Sequence, residues 1–339
     1  MKIIIPMAGR GSRLRPHTLT VPKPLVPIAG KPIVQRLVED IVALYDGVVE
    51  EIAFVIGDFG DQVEHDLKEI AAGLGAVGKV FHQETPEGTA HAIWMAEECL
   101  EGEVIIAFAD TLFRANFTLD REKDGAIWVK RVENPSSFGV VTLDENGIIK
   151  ELVEKPQEFV SDMAIIGIYY LRDGAALREE IRHLIDNDLR EKGEYQLTNA
   201  LENLKQKGAQ LVPGTVDDWM DCGNKAAVLD TTQKILAYDA ADGKGNMVAE
   251  DLMLRNSLIV PPVHIGKGVV LENSIVGPNV TIGDNSLVRN SVMDMTIIGF
   301  NTEISNSVLS NSMVGNHAVV ENAAKNVDIG DYCRVKIND

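Results

Sequence analysis

The sequence predicts an α/β domain with a Rossmann-like, mostly parallel sheet and helices on both of its faces, followed by a domain of short parallel β-coils. Strand-like and helix-like segments alternate over residues 1 to about 238, and this alternation is typical of parallel sheets. Beyond residue 255 the pattern changes to repeats that step by 15 to 17 residues. A chain of 339 residues has room for both domains.

The α/β domain is predicted over residues 1–238. Apolar runs predict the strands Lys2–Pro6, Ile52–Ile56, Val104–Ala109, Ala126–Lys130 and Ile165–Leu171. Amphipathic patterns predict the helices Pro32–Leu44, Asp61–Gly73, Thr89–Leu100, Glu194–Lys207 and Lys225–Tyr238. Open sheets of this kind bind ligands beyond the carboxyl ends of their strands, so we expect functional residues directly after the strands.

A linker is predicted over residues 239–254, where the segment Asp239–Asn246 is small, polar and rich in glycine. The β-coils are predicted over residues 255–339. Asn-Ser pairs start there at 256, 273, 290 and 306, and aliphatic-Gly pairs start at 265, 282, 298, 314 and 329. Aliphatic residues return about every six positions, which suits triangular coils with Gly or Asn at the corners. This region resembles the hexapeptide-repeat left-handed β-helix.

The composition is that of a soluble globular protein, with 45% apolar and 24% charged residues. No apolar run reaches the roughly 18–20 residues that cross a bilayer, and Met1–Pro6 is too short for a secretory signal, so we expect no membrane partner. The three cysteines, Cys99, Cys222 and Cys333, are widely spaced and odd in number. This pattern argues against a metal cluster or a disulfide framework and predicts a cytoplasmic location.

The charge is unevenly distributed along the chain. The net charge of −19 disfavours a nucleic acid polymer as partner. The first acidic residue, however, is Glu39. The basic residues that precede it are Lys2, Arg10, Arg13, Arg15, Lys23, Lys31 and Arg36. We therefore predict that the N-terminal region receives an anion.

A glycine-rich loop follows the first predicted strand. Gly9 and Gly11 allow the backbone to approach phosphate groups and to direct N–H groups at them. The loop is neither a dinucleotide fingerprint, because Leu14 stands where glycine is required, nor a P-loop, because Gly-Lys-Ser/Thr does not follow. Arg13 and the proline-flanked Lys23 are cations suited to a triphosphate.

The run from Gly9 to Pro24, GRGSRLRPHTLTVPKP, resembles the signature of sugar-nucleotide pyrophosphorylases, G-x-G-[ST]-R-[LMF]-x-P-x-T…P-K. It is most similar to that of the glucose-1-phosphate thymidylyltransferases and related enzymes that make nucleoside-diphosphate sugars. The resemblance implies catalytic roles for Arg13 and Lys23. The nucleotide-binding residues that it implies in this loop are Ala8, Gly9, Gly11 and Ser12.

The segment QETPEGTAHA, residues 83–92, is similar to the part of these enzymes that binds the base. The resemblance implies that Gln83 forms hydrogen bonds with a pyrimidine edge and that Gly88 lets the base lie flat, with Pro86 in the same turn. The form Q-x-x-P-[DE]-G is nearer to thymidylyltransferases than to guanylyltransferases. His91 is interpreted as a packed helix residue.

Two aspartates are candidate magnesium ligands. Asp110 follows a predicted strand, and Asp221 lies in WMDCG, which resembles the family pattern W-x-D-x-G. Mg²⁺ prefers carboxylates together with phosphate oxygens. The resemblance implies that this pair holds Mg²⁺, the expected cofactor, although Ala109 replaces the usual glycine before the first aspartate.

The middle of the first domain contains the candidate residues for the sugar phosphate. Gly139 lies in FGVV and the pair Glu154-Lys155 in EKP, and both motifs resemble those of the family. The resemblance implies that Glu154 binds sugar hydroxyls and Lys155 the sugar phosphate. It also implies that Gly167 lines the pocket, and the run GEYQLT at 193–198 matches a further family motif.

The resemblance therefore implies transfer of a nucleotidyl group from a nucleoside triphosphate to a sugar 1-phosphate, with dTTP and glucose 1-phosphate as the first choice. UTP or GTP with glucose or mannose 1-phosphate is an alternative. A non-catalytic subunit that binds sugar nucleotides is another. We expect the β-helix to serve assembly into a homo-oligomer or regulation. A second activity as an acetyltransferase, with His264 or His317 as base, is the less favoured interpretation, because solvated corner histidines explain both residues.

Overall fold

The structure, a computed structural model, describes residues 1–9, 11–115, 119–243 and 247–337. They form two compact units, and each unit is built from two stretches of chain. The first comprises Met1–Gly9 with Gln35–Trp219, and the second Arg10–Val34 with Met220–Asp339. Arg10 and the last three residues of the glycine-rich segment Asp239–Asn246 lie outside the described residues.

The helices and the strands up to residue 221 have the following bounds. The helices are α1 (Ile33–Leu44), α2 (Asp61–Gly73), α3 (Thr89–Trp94), α4 (Gly174–Asp186), α5 (Leu197–Gln206) and α6 (Lys225–Ala241). The strands are β1 (Lys2–Pro6), β2 (Pro27–Ile28), β3 (Lys31–Pro32), β4 (Glu51–Ile56), β5 (Val77–His82), β6 (Val104–Ala107), β7 (Thr111–Arg114), β8 (Gly125–Arg131), β9 (Val140–Leu143), β10 (Ile149–Val153), β11 (Met163–Leu171), β12 (Leu211–Thr215) and β13 (Asp218–Asp221).

The first unit is organised around one mixed sheet in the order β10-β9-β11-β6-β1-β4-β5. Strands β6, β1, β4 and β5 are parallel, with Ile3 opposite Ile52 on one side and Ile105 on the other. Strand β11 is antiparallel to β6 and to β8, and β12 runs parallel to β8. The predicted α/β fold is confirmed, and the parallel pairing is concentrated in the half that carries the N-terminal strand.

Helices cover both faces of this sheet. Side chains alternate between the two faces along each strand, so neighbouring residues of one strand pack on opposite sides. Val104 and Ile106 lie in one core cluster together with Ile93 of α3, Leu177 of α4 and Leu201 of α5. Ile105, between them, lines a small apolar cavity on the opposite face together with Ile41 and Leu44 of α1. The sheet is therefore the middle layer of three, with helices on either side.

Several predicted elements have the observed bounds or nearly so. Strand β1 and helix α2 agree with the prediction to the residue, and the predicted strand Val104–Ala109 ends at Ala107. The predicted helix Thr89–Leu100 ends at Trp94 and is followed by a short 3-10 turn at Glu97–Cys99. Helix α4 was not predicted.

The second unit contains a short left-handed β-helix of parallel coils, as the repeats predicted. Its strands are β14 (Met247–Val248), β15 (Met253–Arg255), β16 (Leu258–Ile259), β17 (Val263–Ile265), β18 (Val270–Glu272), β19 (Ile275–Val276), β20 (Val280–Ile282), β21 (Leu287–Arg289), β22 (Val292–Ile298), β23 (Glu303–Ser305), β24 (Val308–Val314), β25 (Val319–Glu321), β26 (Ala324–Lys325), β27 (Asp328–Ile329) and β28 (Arg334–Lys336). Along one side, β15, β18, β21, β23, β25 and β28 stack in order.

Apolar side chains fill the interior of the coils. The buried column includes Leu271, Val276, Ile282, Val288, Met293, Ile298, Ile304 and Leu309. Asparagines at one corner adopt positive φ angles and form a ladder, in which Asn256 donates to Asn273 at 2.9 Å and Asn273 to Asn290 at 3.1 Å. The period of the sequence is therefore the length of one coil.

The predicted linker, residues 239–254, contains regular structure in its described part. Helix α6 extends to Ala241, and β14 already pairs with β17 of the β-helix. Strand β15 begins at Met253. Among the described residues, no helix is both long and apolar enough to cross a membrane.

Candidate active site

The parallel strands of the first unit end at one edge of the sheet, and four predicted site residues follow them there. Ala8 and Gly9 follow β1, Gln83 follows β5 and Asp110 lies beyond β6. The backbone continues the sheet for one more residue at this edge, because Met7 N–H donates to the Val55 carbonyl at 2.8 Å. Parallel strands present their carboxyl ends on one side, which is where open α/β sheets bind ligands.

The turn at Gly88 is held by the backbone of Tyr195. Tyr195 N–H donates to the Glu87 carbonyl at 2.8 Å, and its own carbonyl accepts from Ala90 N–H at 2.9 Å. Gly88 has a φ of +115°, and a Cβ placed on it would lie 2.4 Å from the Tyr195 oxygen. Only glycine fits this position. The nearby Pro86 is exposed.

Gln83 is buried, and its amide has a defined orientation. Its Nε2 lies 3.4 Å from the Gly88 carbonyl and 3.1 Å from Nδ1 of His91. The Nε2 of His91 lies 3.5 Å from a carboxylate oxygen of Glu87. The arrangement is consistent with the tautomer in which Nε2 carries the proton and faces Glu87, while Nδ1 accepts from Gln83. Both amide hydrogens of Gln83 then face acceptors, which leaves Oε1 as the acceptor atom of this side chain.

The predicted sugar-phosphate residues lie close together in the first unit. Ile165 N–H donates to the Gly139 carbonyl at 2.8 Å, and a Cβ on Gly139 would lie 3.0 Å from Oε2 of Glu154. Lys155 is exposed and lies 3.4 Å from the Glu154 carboxylate. Gly167 lies in the same strand as Ile165, where the pairing of β11 with β8 shifts register. The structure therefore brings Gly139, Glu154 and Lys155 into one cluster.

Tyr169, two residues beyond Gly167, is buried beside this cluster. Burial is the main factor that raises the pKa of Tyr169, and the negative charge of Glu154 raises it further. The phenol is therefore neutral at physiological pH.

The second unit contains the glycine-rich loop, apart from Ala8 and Gly9. Gly11 has a φ of +60°, and a Cβ on it would lie 2.6 Å from Cβ of Lys23. The Thr18 hydroxyl donates to the Gly11 carbonyl at 2.8 Å. The structure therefore brings Gly11 and the buried Lys23 together. Ser12 and Arg13 lie in a short 3-10 helix, and both side chains are exposed.

Asp110, in the first unit, and Asp221, in the second, are both exposed. Gly223 N–H donates to Oδ1 of Asp221 at 2.8 Å, which orients that carboxylate. Among the described residues, no group of three or more His, Cys, Asp or Glu side chains is arranged to hold a metal. Single carboxylates fit Mg²⁺, which binds proteins through one or two of them and takes its other ligands from phosphates and water.

The two histidines considered for acetyl transfer contact other groups. A Cβ on Gly30 would lie 2.1 Å from the ring of His264, so the glycine makes room for this ring. His317 stacks on Tyr332 at 4.7 Å, with Phe300 edge-on at 5.0 Å. These are packing contacts of the β-helix and its neighbouring segment.

Sequence reasoning did not assign roles to four residues of these clusters: Thr18, His91, Tyr169 and Tyr195. Thr18 and Tyr195 belong to the motifs that carry the resemblance, but their roles depend on hydrogen bonds that motifs do not specify. His91 was interpreted as a packed residue. The sequence signal for its contact with Gln83 was its position, eight residues after Gln83 and near the start of a predicted helix.

Comparison with known proteins gives a consistent result. A family model described as nucleotidyl transferase matches residues 2–238. The chain is 31% identical over 265 residues to the bifunctional protein GlmU of Methanocaldococcus jannaschii, covering 77% of this chain and 60% of that protein. It is 37% identical over 191 residues to the catalytic subunit beta of mannose-1-phosphate guanylyltransferase from Drosophila melanogaster, covering 53% and 51%. It is 29% identical over 289 residues to a glucose-1-phosphate thymidylyltransferase of Streptomyces antibioticus, covering 79% and 78%.

The chain thus spans only about half to two thirds of the length of the first two relatives. Among solved structures, a nucleoside-diphosphate-sugar pyrophosphorylase from Vibrio cholerae RC9 has a TM-score of 0.59 at 21% identity, covering 68% of this chain and 99% of that one. At this identity the likeness supports the fold. Since the family model covers well over half of its length, the chain belongs to the nucleotidyl transferase family.

Proposed function

We propose that this protein transfers a nucleotidyl group from a nucleoside triphosphate to a sugar 1-phosphate and releases pyrophosphate. The observation that carries the proposal is the loop of the second unit, in which Gly11 lies against Lys23 and the Arg13 side chain is exposed. Two cations on a hydrogen-bonded loop suit a polyphosphate. The family and the names of its relatives support the same reaction.

The chemistry requires positioning and charge more than a reactive side chain. An oxygen of the sugar phosphate attacks the α-phosphorus in line, and because this oxygen is already ionised, no general base is needed. We assign Arg13 to the charge that develops on the departing pyrophosphate and Lys23 to the α-phosphate. Lys155 binds the sugar phosphate, and Glu154 accepts hydrogen bonds from sugar hydroxyls.

Nucleotidyltransferases of this family generally use a divalent metal, and we propose Mg²⁺ with Asp110 and Asp221 as its protein ligands. When bound with the triphosphate, the ion would supply positive charge that stabilises the developing negative charge. The orientation of Asp221 by Gly223 N–H supports its part in this assignment. Each aspartate would supply a single carboxylate, and phosphate oxygens and water would provide the other ligands.

The orientation of Gln83 supports a base that carries an N–H on its pairing edge. Thymine and uracil present N3–H and guanine presents N1–H, whereas the matching nitrogens of cytosine and adenine are acceptors. The remaining Oε1 of Gln83, an acceptor, pairs with the N–H of thymine, uracil or guanine. It repels the acceptor nitrogen of cytosine or adenine. This admits dTTP, UTP and GTP alike. Because residues 83–88 resemble the thymidylyltransferase form, we propose dTTP with glucose 1-phosphate as the first choice, and UTP or GTP with glucose or mannose 1-phosphate as the alternatives.

The test is an activity screen that crosses five nucleoside triphosphates with several sugar 1-phosphates and measures pyrophosphate release with Mg²⁺. Wild-type protein is expected to turn over at least one pair. Arg13→Ala is expected to lose about 10²–10³-fold in kcat, the usual effect of removing one group that stabilises transition-state charge. Arg289→Ala is the matched control, because Arg289 pairs with Glu272 on the β-helix.

Two results would contradict the proposal. Wild-type turnover by Arg13→Ala would remove its assigned role. Absence of pyrophosphate release with every pair, while sugar nucleotides still bind in calorimetry, would leave a non-catalytic binding protein. The expectation of a homo-oligomer stays a prediction that light scattering on purified protein would check.

A further inference from the structure

We infer that the last described coil of the β-helix is a positioning element for the glycine-rich loop. The inference rests on the proposed function, because it assigns the loop to the triphosphate. Segment Pro16–Thr20, which continues directly from Arg13, lies on the coil that contains Asp328, Gly330 and Asp331. All these residues belong to the second unit.

The contact uses two hydrogen bonds and one close packing. Nε2 of the buried His17 lies 2.6 Å from Oδ1 of Asp328. The Thr20 hydroxyl donates to Oδ2 of Asp331 at 2.5 Å. Between them, Pro16 packs on Gly330, where a Cβ would lie 3.0 Å from Cβ of Pro16.

The corner glycines of the β-helix explain why this packing is specific. In earlier coils each corner glycine is covered by the coil that follows. A Cβ on Gly299 would lie 2.4 Å from Oδ1 of Asn316, and one on Gly315 would lie 2.2 Å from Oδ1 of Asp331. At Gly330 the corresponding place is occupied by Pro16. The segment therefore covers this corner as another coil does, which solenoids need at their ends.

Hydrogen bonds transmit the position of this segment to the cationic part of the loop. His17 N–H donates to the Leu14 carbonyl at 3.1 Å, and Leu14 N–H donates to the Gly11 carbonyl at 3.0 Å. The hydroxyl of Thr18, which lies between the two residues that form hydrogen bonds with the coil, also donates to the Gly11 carbonyl. Gly11 in turn lies against Lys23. A displacement of His17 or Thr20 is thereby coupled to Arg13 and Lys23.

Asp331 is also part of the β-helix, because its Oδ1 accepts from Asn316 N–H at 2.6 Å. A change of Asp331 would disturb the coil as well as the contact. Asp328 and Thr20 are therefore the residues to change. Thr20→Val keeps the shape of the side chain and removes only the donor, and Asp328→Ala removes the acceptor for His17.

The experiment measures loop order and kinetics in the full-length protein. Hydrogen exchange at the Leu14, His17 and Leu19 amides, which donate within the loop, is expected to quicken by about 5–30-fold in Asp328→Ala and Thr20→Val, the effect of losing one such contact. The KM for the triphosphate is expected to rise by at least about threefold, because the apparent affinity falls with the fraction of loops that hold the binding-competent arrangement. The KM for the sugar phosphate is expected to change less than about twofold, since the loop is assigned to the other substrate.

Two variants serve as comparisons. Asp328→Asn keeps an oxygen that His17 can bind and is expected to restore most of the protection. Asp294→Asn removes the same charge from the β-helix at a residue that accepts from Ser310, and it is expected to leave the loop amides and both KM values unchanged.

The outcomes separate this inference from the proposed function. Wild-type exchange at the loop amides in both Asp328→Ala and Thr20→Val would overturn the contact. Faster exchange with an unchanged KM for the triphosphate would overturn the positioning role. If the wild-type protein releases no pyrophosphate at all, the proposed function fails, and the exchange measurement alone still decides whether the coil holds the loop.

Discussion

At the scale of single residues, the informative feature is the chain of contacts from Glu87 through His91 to Gln83. The carboxylate of Glu87 favours the proton on Nε2 of His91, and Nδ1 is then an acceptor for the Gln83 amide. The orientation of one amide decides which edge of a base it can bind. If Gln83 binds the base as proposed, His91 acts through it as a positioning residue.

We expect His91→Leu to lower discrimination between UTP or dTTP and CTP by about tenfold, because the Gln83 amide loses one of its two acceptors and can turn. The measurement is kcat/KM for each triphosphate with one sugar phosphate. His65→Leu, an exposed histidine on α2, is the control. His91→Gln supplies a new acceptor and is expected to recover part of the discrimination. Equal loss for all nucleotides in His91→Leu would contradict the role in base choice.

At the scale of elements, the β-helix depends on asparagine at its corners. Asn273 has a φ of +48°, a conformation that Asn adopts more readily than most residues. Its side chain accepts from Asn256 and donates to Asn290. The corner therefore needs both a permissive backbone and a polar side chain that continues the ladder.

We expect Asn273→Ala to lower the free energy of unfolding by about 1–3 kcal/mol, since it adds backbone strain and removes two hydrogen bonds. Asn273→Gly relieves the strain and removes only the ladder contacts, so its cost is expected to be smaller. Urea unfolding followed by circular dichroism measures both. A larger loss for the glycine variant would show that backbone strain contributes little at this corner.

At the scale of the whole molecule, the two units do not follow the order of the chain. Residues 10–34 belong to the unit that contains the β-helix, although the strand before them and most of the sequence after them belong to the other unit. The sequence predicted a division into residues 1–238 and 255–339. That division separates the glycine-rich loop from the coil that it contacts.

We therefore expect a fragment of residues 1–238 to unfold at a lower temperature than the full chain and to release pyrophosphate at least about tenfold more slowly, because misplaced catalytic groups lose rate steeply. Calorimetry and the pyrophosphate assay check this. A chain that ends at Ile337 is the control, and we expect its unfolding temperature and rate of pyrophosphate release to match those of the full-length protein. Full stability and activity in the 1–238 fragment would support the linear division that the sequence predicted.

Sequence-based prediction was accurate for elements that neighbouring residues specify and failed where contacts with distant residues matter. Helix α2 follows from a periodic pattern with acidic residues in its first turn, and β1 from an unbroken apolar run. Helix α4 was not predicted, and the Asp-Gly pair at its start, Asp173-Gly174, is a pair typical of turns. In the structure Asp173 is the N-cap, and a Cβ on Gly174 would lie 2.8 Å from Val104 Cγ1. Gly174 therefore allows close packing against Val104, and the sequence around position 174 does not show this contact.

The candidate site shows the same contrast. The cationic glycine-rich loop indicated Gly11, Arg13 and Lys23, and the family resemblance implied Gln83, Gly139 and Glu154. The structure brings Gly11 to Lys23 and Gly139 to Glu154. The neighbours that orient these residues, such as His91 for Gln83, depend on side-chain geometry. Their roles follow from distances and not from residue type.

The sequence alone determined the alternation of strands and helices, the cationic glycine-rich loop and the coil length of the β-helix, because each is written in neighbouring residues or in a regular repeat. Only the tertiary structure decided which unit holds that loop. His17 and Asp328 are 311 positions apart in the sequence and touch at 2.6 Å. A contact of this kind depends on how the whole chain packs, and no local pattern encodes it.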